Sequence, residues 1–212
     1  PLILLSILAN YGVGSQLIAS ERWTERARHR WLIAGVTFNL LLLGYFKYSW
    51  FIVESAAIVA GSSFRMEPLM LPLAISFFTF QQIAFLVDAR RGEVGGVRFA
   101  RYALFVSFFP QLIAGPIVHH REMMPQFEQA NRRWPTWLNV QQGLRIFIIG
   151  LAKKLLIADT LAVYADSGWA NVEQLTFFDA WATTFCYTFQ LYFDFSGYSD
   201  MALGAARLFG IH

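Results

Sequence analysis

The sequence predicts an all-α membrane protein, because both its composition and its pattern of apolar runs differ from those of soluble domains. Hydrophobic residues make up 56% of the 212 residues and charged residues 15%, whereas soluble domains contain about 25% charged residues. The apolar residues occur in runs of about 20, the length that a helix needs to cross a bilayer. Since lipid cannot satisfy exposed backbone polar groups, we expect roughly five to seven helical membrane segments and no sheet.

Short basic stretches separate the apolar runs and indicate which loops face the cytoplasm. Residues 1–20 form the first run and precede "ERWTERARHR", which contains four arginines. The second run, residues 31–48, ends in "GYFKYSW", whose aromatic residues are typical of a membrane interface. The third run, residues 69–87, precedes the basic, glycine-rich "DARRGEVGGVR". The net charge of +3 is small and lies in such loops, which favours a membrane protein over a nucleic-acid-binding one.

The next run, residues 99–118, differs from a simple membrane span. Basic residues flank it on both sides, with Arg98 before it and Arg121 after it. Pro110 and the pair Gly115–Pro116 would also interrupt any helix there. Both observations predict a broken or re-entrant segment that enters and leaves on one side. Irregular backbone at membrane depth is tolerated where it lines a cavity, so we expect this segment to line one.

Two adjacent lysines interrupt the apolar run of residues 138–164. Lys153 and Lys154 would be unusual at the centre of a bilayer. Either the helix is tilted and they reach the membrane interface, or they face a cavity, and we favour the interface. The last apolar stretch is too long for one straight span, and Gly197 is a natural break. We therefore predict one span that ends near Phe195 and another helix from Tyr198.

Two aspartates lie in the same apolar stretch, within "LYFDFSGYSDMALG". A carboxylate at the centre of a membrane span costs about 2.5–3.5 kcal/mol, so such residues usually face a partner or a cavity. On one helix Asp194 and Asp200 would lie about 120° apart and would not form a paired-carboxylate site. Asp200, Gly204 and Arg207 would share a helix face, together with Ser196. Two roles remain open for the aspartates, as caps of a helix broken at Gly197 or as cavity groups.

Other polar residues give weaker signals. Gln81 and Gln82 lie inside an apolar run, where hydrogen bonds between helices are the favoured role, whereas Gln111 is expected on a cavity wall. The pair His119–His120 lacks the i, i+3 or i, i+4 spacing of two metal ligands on a helix, so we favour a solvated loop and no metal site. The single cysteine excludes an internal disulfide.

Several stretches together resemble the membrane-bound O-acyltransferases. The stretches "FFPQLIAGPIVHHREMMPQF" and "QLYFDFSGYSDMALGAARLFGI" are similar to signature segments of that family, above all to the branch that contains the membrane subunit of alginate O-acetyltransferase. "GYFKYSWF", "LPLAISFFTFQQIAFLVDARRGE" and "KKLLIADTLA" are similar to that branch too. The resemblance extends over nearly the whole chain, in one order.

The resemblance implies a fold, a reaction and a location. The fold would be a funnel-shaped ring of helices, and residues 1–212 would be one incomplete transmembrane domain of it. The reaction would be transfer of an acyl group, chiefly acetyl, to hydroxyls of an exported polysaccharide such as alginate. The acyl donor would be a substrate, acetyl-CoA or an acyl-carrier thioester, with no bound cofactor. The protein would lie in the inner membrane, contact lipid and work with acetyl-transfer proteins outside the cytoplasm.

The resemblance also implies a set of residues in the funnel wall and floor. These residues are Pro110, Gln111, Gly115, Pro116, Asp194, Ser196, Gly197, Tyr198 and Asp200, and Arg207 joins them because it shares the face of Asp200. The family's histidine lies in an Arg-Arg-Trp-His tract downstream, and none of the four histidines here matches it. We therefore assign no catalytic residue and expect this chain to be inactive alone.

Two other classes of function remain as alternatives. Broken helices and acids within the membrane are also typical of transporter or channel subunits. Internal inverted repeats would favour that class, and the sequence shows none. A non-catalytic membrane scaffold is the third candidate, and the presence of the Trp-His tract elsewhere in the protein would distinguish an enzyme from it.

Overall fold

The computed structural model describes residues 2–19, 22–61, 67, 69–112, 120–130 and 136–211. These residues are mainly helical and contain no strand, which confirms the all-α expectation for this part of the chain. The helices are α1 (Leu2–Ile18), α2 (Glu25–Val59), α3 (Ile75–Arg90), α4 (Phe99–Ser107), α5 (Phe109–Leu112), α6 (His120–Ala130), α7 (Trp137–Ala152), α8 (Asp159–Ala170) and α9 (Phe177–Leu208). A π-helical turn, Lys153–Ala158, joins α7 directly to α8.

Helix α2 has the length and composition of a membrane-spanning helix. It contains 35 residues, and among the described helices it alone meets both conditions, whereas the apolar α1 has 17 residues. Thr24 starts α2 by accepting a hydrogen bond from the backbone N–H of Ala27, which satisfies one donor of the first turn. The expected number of membrane segments stays a prediction.

The first compact unit comprises residues 1–113 and 117–125, and a connected set of polar side chains lies in its core. Tyr102 donates to the side-chain oxygen of Gln82 at 3.2 Å, and Gln82 donates to the Ser6 hydroxyl at 3.0 Å. Asn10 donates to the Asn39 side-chain oxygen at 3.1 Å and also bonds Ser6. All five residues are buried, so these bonds fix the helices that contain them to one another.

These contacts confirm the role predicted for the two glutamines of α3. Gln82 bonds residues of α1 and α4, and the Gln81 amide donates to the backbone oxygen of Phe105 in α4 at 3.2 Å. Both side chains therefore hold neighbouring helices together, as expected for amides in an apolar environment.

The predicted interruption of residues 99–118 lies at Phe108. Helix α4 ends at Ser107, Phe108 has an extended backbone with ψ 102°, and α5 begins at Phe109. Pro110 follows in the first turn of α5, where a missing backbone N–H removes no helical bond. The second predicted break, at Gly115–Pro116, lies outside the described residues, and the re-entrant course stays a prediction.

The second compact unit comprises residues 114–116 and 126–212. Helix α9 packs along α7, the π-helical turn and α8. Thr176 and Asp179 form a capping box at the start of α9, in which each side chain accepts a hydrogen bond from the other residue's backbone N–H. Glycines face each other across the unit in reverse chain order, Gly143 with Gly204 and Gly150 with Gly197, so α7 and α9 are antiparallel.

The predicted helix break at Gly197 is wrong. Helix α9 continues without interruption from Phe177 to Leu208. A Cβ atom on Gly197 would lie 2.7 Å from the backbone oxygen of Gly150, closer than such atoms approach. The absence of a side chain at Gly197 therefore allows α7 to pack closely against α9. The two predicted helices are one helix.

Candidate functional site

A polar cluster lies in the second unit and consists of Lys153, Lys154, Asp159, Asp194, Ser196 and Asp200. Lys153 makes the first set of its contacts. Its Nζ atom is 2.6 Å from Oδ2 of Asp200 and 3.0 Å from Oγ of Ser196. The Lys153 side chain is 31% exposed and that of Asp200 27%, so the pair is largely shielded within the unit. The close packing of Gly150 on Gly197, three residues before each charged residue, brings the two backbones near enough for this contact.

Lys154 makes a second set of ion pairs. Its Nζ atom is 2.7 Å from Oδ1 of Asp194 and 2.8 Å from Oδ1 of Asp159. Residues five apart lie about 140° apart on an α-helix, too far round for a salt bridge. A π-helical turn bonds residue i to i+5 and places such residues on the same side. The π-helical turn after α7 therefore makes the Lys154–Asp159 pair possible.

The two aspartates of α9 have separate partners and do not cap a helix. Since α9 is continuous, the interpretation of Asp194 and Asp200 as caps of a broken helix is wrong. They bond different lysines, as expected for carboxylates six positions apart on one helix. Arg207 does not join Asp200 and instead donates to the side-chain oxygen of Gln142 in α7.

The face of α9 predicted to be polar packs against α7 and the π-helical turn. Ser196 and Asp200 contact Lys153, Gly204 lies against Gly143, and Arg207 bonds α7. The predicted sharing of one face is thus confirmed, and the contacts add that this face is turned toward a neighbouring helix. Tyr198 is half-buried on α9, outside these ion pairs.

The remaining expected lining residues belong to other parts of the chain. Pro110 is buried in the first unit. Gln111 is placed in α5 by its backbone alone, while Gly115 and Pro116 lie outside the described residues. Their place on a cavity wall stays a prediction.

Sequence reasoning missed that Lys153 and Lys154 pair with the two aspartates of α9, and that Asp159 also pairs with Lys154. The signal was present, since Lys153, Lys154 and Asp159 lie in one apolar run, the two aspartates of α9 lie in the next, and charges in such runs usually pair. Both lysines bond carboxylates within the unit, and their expected position at the membrane interface stays a prediction. If all five groups are ionised, three carboxylates face two ammonium groups.

The expectation of a solvated loop is wrong for His120. This residue begins α6, is 5% exposed, and its Nδ1 lies 3.2 Å from Oδ2 of Asp88. The Phe85 ring packs edge-on against the imidazole. His119 lies outside the described residues. Among the residues that are described, no group of three His, Cys, Asp or Glu side chains is placed to hold a metal ion.

Comparison with known proteins identifies the family of the chain, which the polar cluster alone does not. The model of the membrane-bound O-acyltransferase family matches residues 86–212. The peptidoglycan O-acetyltransferase of Helicobacter pylori is 44% identical over 236 residues, which cover 100% of this chain and 44% of that protein. The probable alginate O-acetylase of Pseudomonas aeruginosa is 42% identical over 207 residues, covering 95% of this chain and 39% of that protein.

A more distant relative has a different acyl group in its name. The teichoic acid D-alanyltransferase of Streptococcus thermophilus is 24% identical over 149 residues, which cover 66% of this chain and 34% of that protein. The chain thus spans less than half the length of each of these three relatives.

Proposed function

Because the chain belongs to the membrane-bound O-acyltransferase family, we propose that the full-length protein transfers acetyl groups to hydroxyls of an exported cell-surface polysaccharide. One observation supports this proposal most directly. Two relatives more than 40% identical to the chain, over at least 95% of its length, are named for O-acetylation of peptidoglycan and of alginate. Alginate is the first acceptor to test and peptidoglycan the second.

The proposed reaction is general-base acyl transfer from a thioester, either acetyl-CoA or an acyl-carrier thioester. A base removes the proton of the sugar hydroxyl, whose oxygen then attacks the acyl carbonyl. The new C–O ester bond forms, the C–S bond breaks, and the leaving thiolate receives the proton from the base. The histidine of the family's Arg-Arg-Trp-His tract, downstream of α9, is the proposed base.

The residues of the polar cluster would build the wall of the reaction chamber. The Lys153–Asp200 and Lys154–Asp194 pairs join α9 to the helix beside it and fix the polar face that they share. Helices held in this way would exclude water, which otherwise would hydrolyse the thioester. The segment around Pro110 would supply another part of the wall, and residues 1–212 would form part of one larger domain.

The proposed setting is a multi-pass protein of the inner membrane. Helix α2 has the length and apolar character of a span, and many large apolar side chains of the other helices are exposed, among them Leu156, Phe178 and Leu138. In a soluble protein such a surface would be costly, whereas lipid or further helices of a funnel-shaped ring would cover it. Acetyl-transfer proteins outside the cytoplasm are proposed as partners that deliver the group to the polymer.

The test compares cells that lack the gene with cells that express the full-length protein again from a plasmid. Ester-bound acetate is released by mild base from purified exported polysaccharide and from purified peptidoglycan, and is measured per sugar. We expect deletion to remove most ester acetate from one of the two polymers and the plasmid to restore it. Unchanged acetate in both polymers would overturn the proposed function.

A further inference from the structure

We infer that the Ser196 hydroxyl, polarised by Lys153, is a hydrogen-bond donor for the carbonyl oxygen of the acyl group during transfer. This role rests on the proposed function and adds to it a residue that contacts the reacting atoms. Ser196 is partly buried on α9, and Lys153 Nζ lies 3.0 Å from its Oγ. The proposed role depends on the direction of this hydrogen bond, in which Lys153 Nζ donates and Ser196 Oγ accepts.

The direction of the contact is fixed by the charge on Lys153. Its Nζ atom forms an ion pair with Oδ2 of Asp200 at 2.6 Å. An ammonium group has three donors and no acceptor, so it must donate to Ser196, and Oγ must accept. The hydrogen of the Ser196 hydroxyl is therefore directed away from Lys153 and is available to another acceptor.

Other helical hydroxyls in the same unit behave differently. Thr184 and Thr188 of α9 donate to the backbone oxygens four residues earlier, both at 2.8 Å. Thr160 of α8 does the same at 2.9 Å. Such back-bonding is the usual state of a hydroxyl within a helix. Among the described residues, the hydrogen-bond partner of the Ser196 hydroxyl is instead Nζ of Lys153.

The contacts from Asp200 to Lys153 and from Lys153 to Ser196 form a chain that makes the Ser196 hydroxyl a stronger hydrogen-bond donor. A hydroxyl that accepts from a cation becomes a better donor itself, because bonds in a chain polarise one another. When the sugar oxygen attacks the thioester, negative charge develops on the carbonyl oxygen, and a preorganised donor lowers the energy of that state. Ser196 keeps its proton and forms no covalent bond, and the charge returns to the leaving thiolate as the C–S bond breaks.

A nucleophilic role for Ser196 would need an uncharged lysine beside it. In a Ser–Lys pair the lysine must be neutral to take the serine proton. Lys153 instead forms an ion pair with Asp200 and donates to the Ser196 hydroxyl, so its contacts do not suit that base. We therefore expect no acyl-serine intermediate at Ser196.

The test uses the full-length protein in native membranes of cells that lack the chromosomal copy. Initial rates of acetyl transfer are measured with radiolabelled acetyl-CoA as donor, with deacetylated alginate and de-O-acetylated peptidoglycan as acceptors in separate reactions, and are divided by protein abundance. Ser196→Ala is compared with Ser196→Thr, which keeps a hydroxyl, and with Ser199→Ala as a matched control. Ser199 is three residues along the same helix, and its hydroxyl has no partner among the described residues.

We expect Ser196→Ala to lower kcat by about 10²-fold, as removal of one oxyanion donor does, with little change in KM for acetyl-CoA. Ser196→Thr should restore most of kcat, and Ser199→Ala should match the wild type. Wild-type kcat for Ser196→Ala would overturn the role, as would a loss fully explained by lower abundance or a labelled acyl-serine at position 196. If the wild type and its complemented strain transfer no acetyl to either polymer, the proposed function fails, which is a separate result.

Discussion

Substitution of Gly150 by alanine should weaken the packing that places the polar cluster. A Cβ atom on Gly150 would lie 2.5 Å from the backbone oxygen of Gly197 and 2.7 Å from the backbone nitrogen of Met201. Both neighbours are main-chain atoms, so no side-chain rotation relieves the contact. The helices must separate by about 0.9 Å to reach ordinary contact, and a gap of that size forfeits a quarter to a half of the dispersion energy of facing atoms.

The net effect is the difference between two opposing contributions. Overpacking of this kind costs about 1–3 kcal/mol, while the change from glycine to alanine in a helix gains about 1 kcal/mol. We therefore expect Gly150→Ala to destabilise the protein by up to about 2 kcal/mol, because the steric cost exceeds the helical gain. The same separation would lengthen the Lys153–Asp200 pair, so activity should fall as well.

The measurement is thermal unfolding of the purified full-length protein in detergent, with Gly44→Ala as the matched control. Gly44 also lies inside a helix, and a Cβ atom there would meet nothing within 4 Å. We expect Gly150→Ala to unfold several degrees below the wild type and Gly44→Ala to unfold at or above it. Equal melting temperatures for Gly150→Ala and the wild type would refute the close approach of α7 and α9.

The remaining predictions concern the ion pairs and the activity of the chain. Asp200→Asn should lower acetyl transfer by an order of magnitude or more at normal protein abundance, since Asp200 forms the ion pair with Lys153. Asp194→Asn should have a smaller effect, because Lys154 keeps Asp159. Polysaccharide acetate and membrane abundance are measured for both variants, and equal loss in the two would contradict this ranking. The 212-residue chain expressed alone should transfer no acetyl above a heat-killed control, because none of its four histidines matches the histidine of the family's Arg-Arg-Trp-His tract. Measured transfer by this chain would refute the prediction.

The parts of the fold that depend on composition and local chemistry could be predicted. A chain with 56% hydrophobic residues favours helices because they satisfy their own backbone hydrogen bonds. The interruption near Pro110 follows from local backbone restrictions, and it lies at Phe108. The roles of Gln81 and Gln82 follow from the cost of an unpaired amide in an apolar core, although their partners could not be named.

The prediction failed at Gly197 because a glycine in a helical sequence has two physical explanations. It can interrupt the helix through its conformational freedom, or it can allow another backbone to approach. The sequence around position 197 does not distinguish the two, since the second depends on which helix is the neighbour. Gly150 and Gly197 lie 47 positions apart in the sequence, and their contact appears only once α7 and α9 are packed.

The same dependence on neighbours explains the polar cluster, and it bears on what the cluster does. Two lysines in one apolar run and two aspartates in another are each costly alone, and pairing them removes most of that cost. Pairing alone, however, would not require the π-helical turn or the placement of a hydroxyl beside one lysine. The π-helical turn gives Lys154 a carboxylate of its own segment, Asp159, in addition to Asp194. Lys153, with Asp200 and Ser196 as its neighbours, is thus the lysine whose charge is directed onto a hydroxyl. That difference between two adjacent lysines favours a chemical role for the Lys153 side of the cluster and a structural role for the Lys154 side.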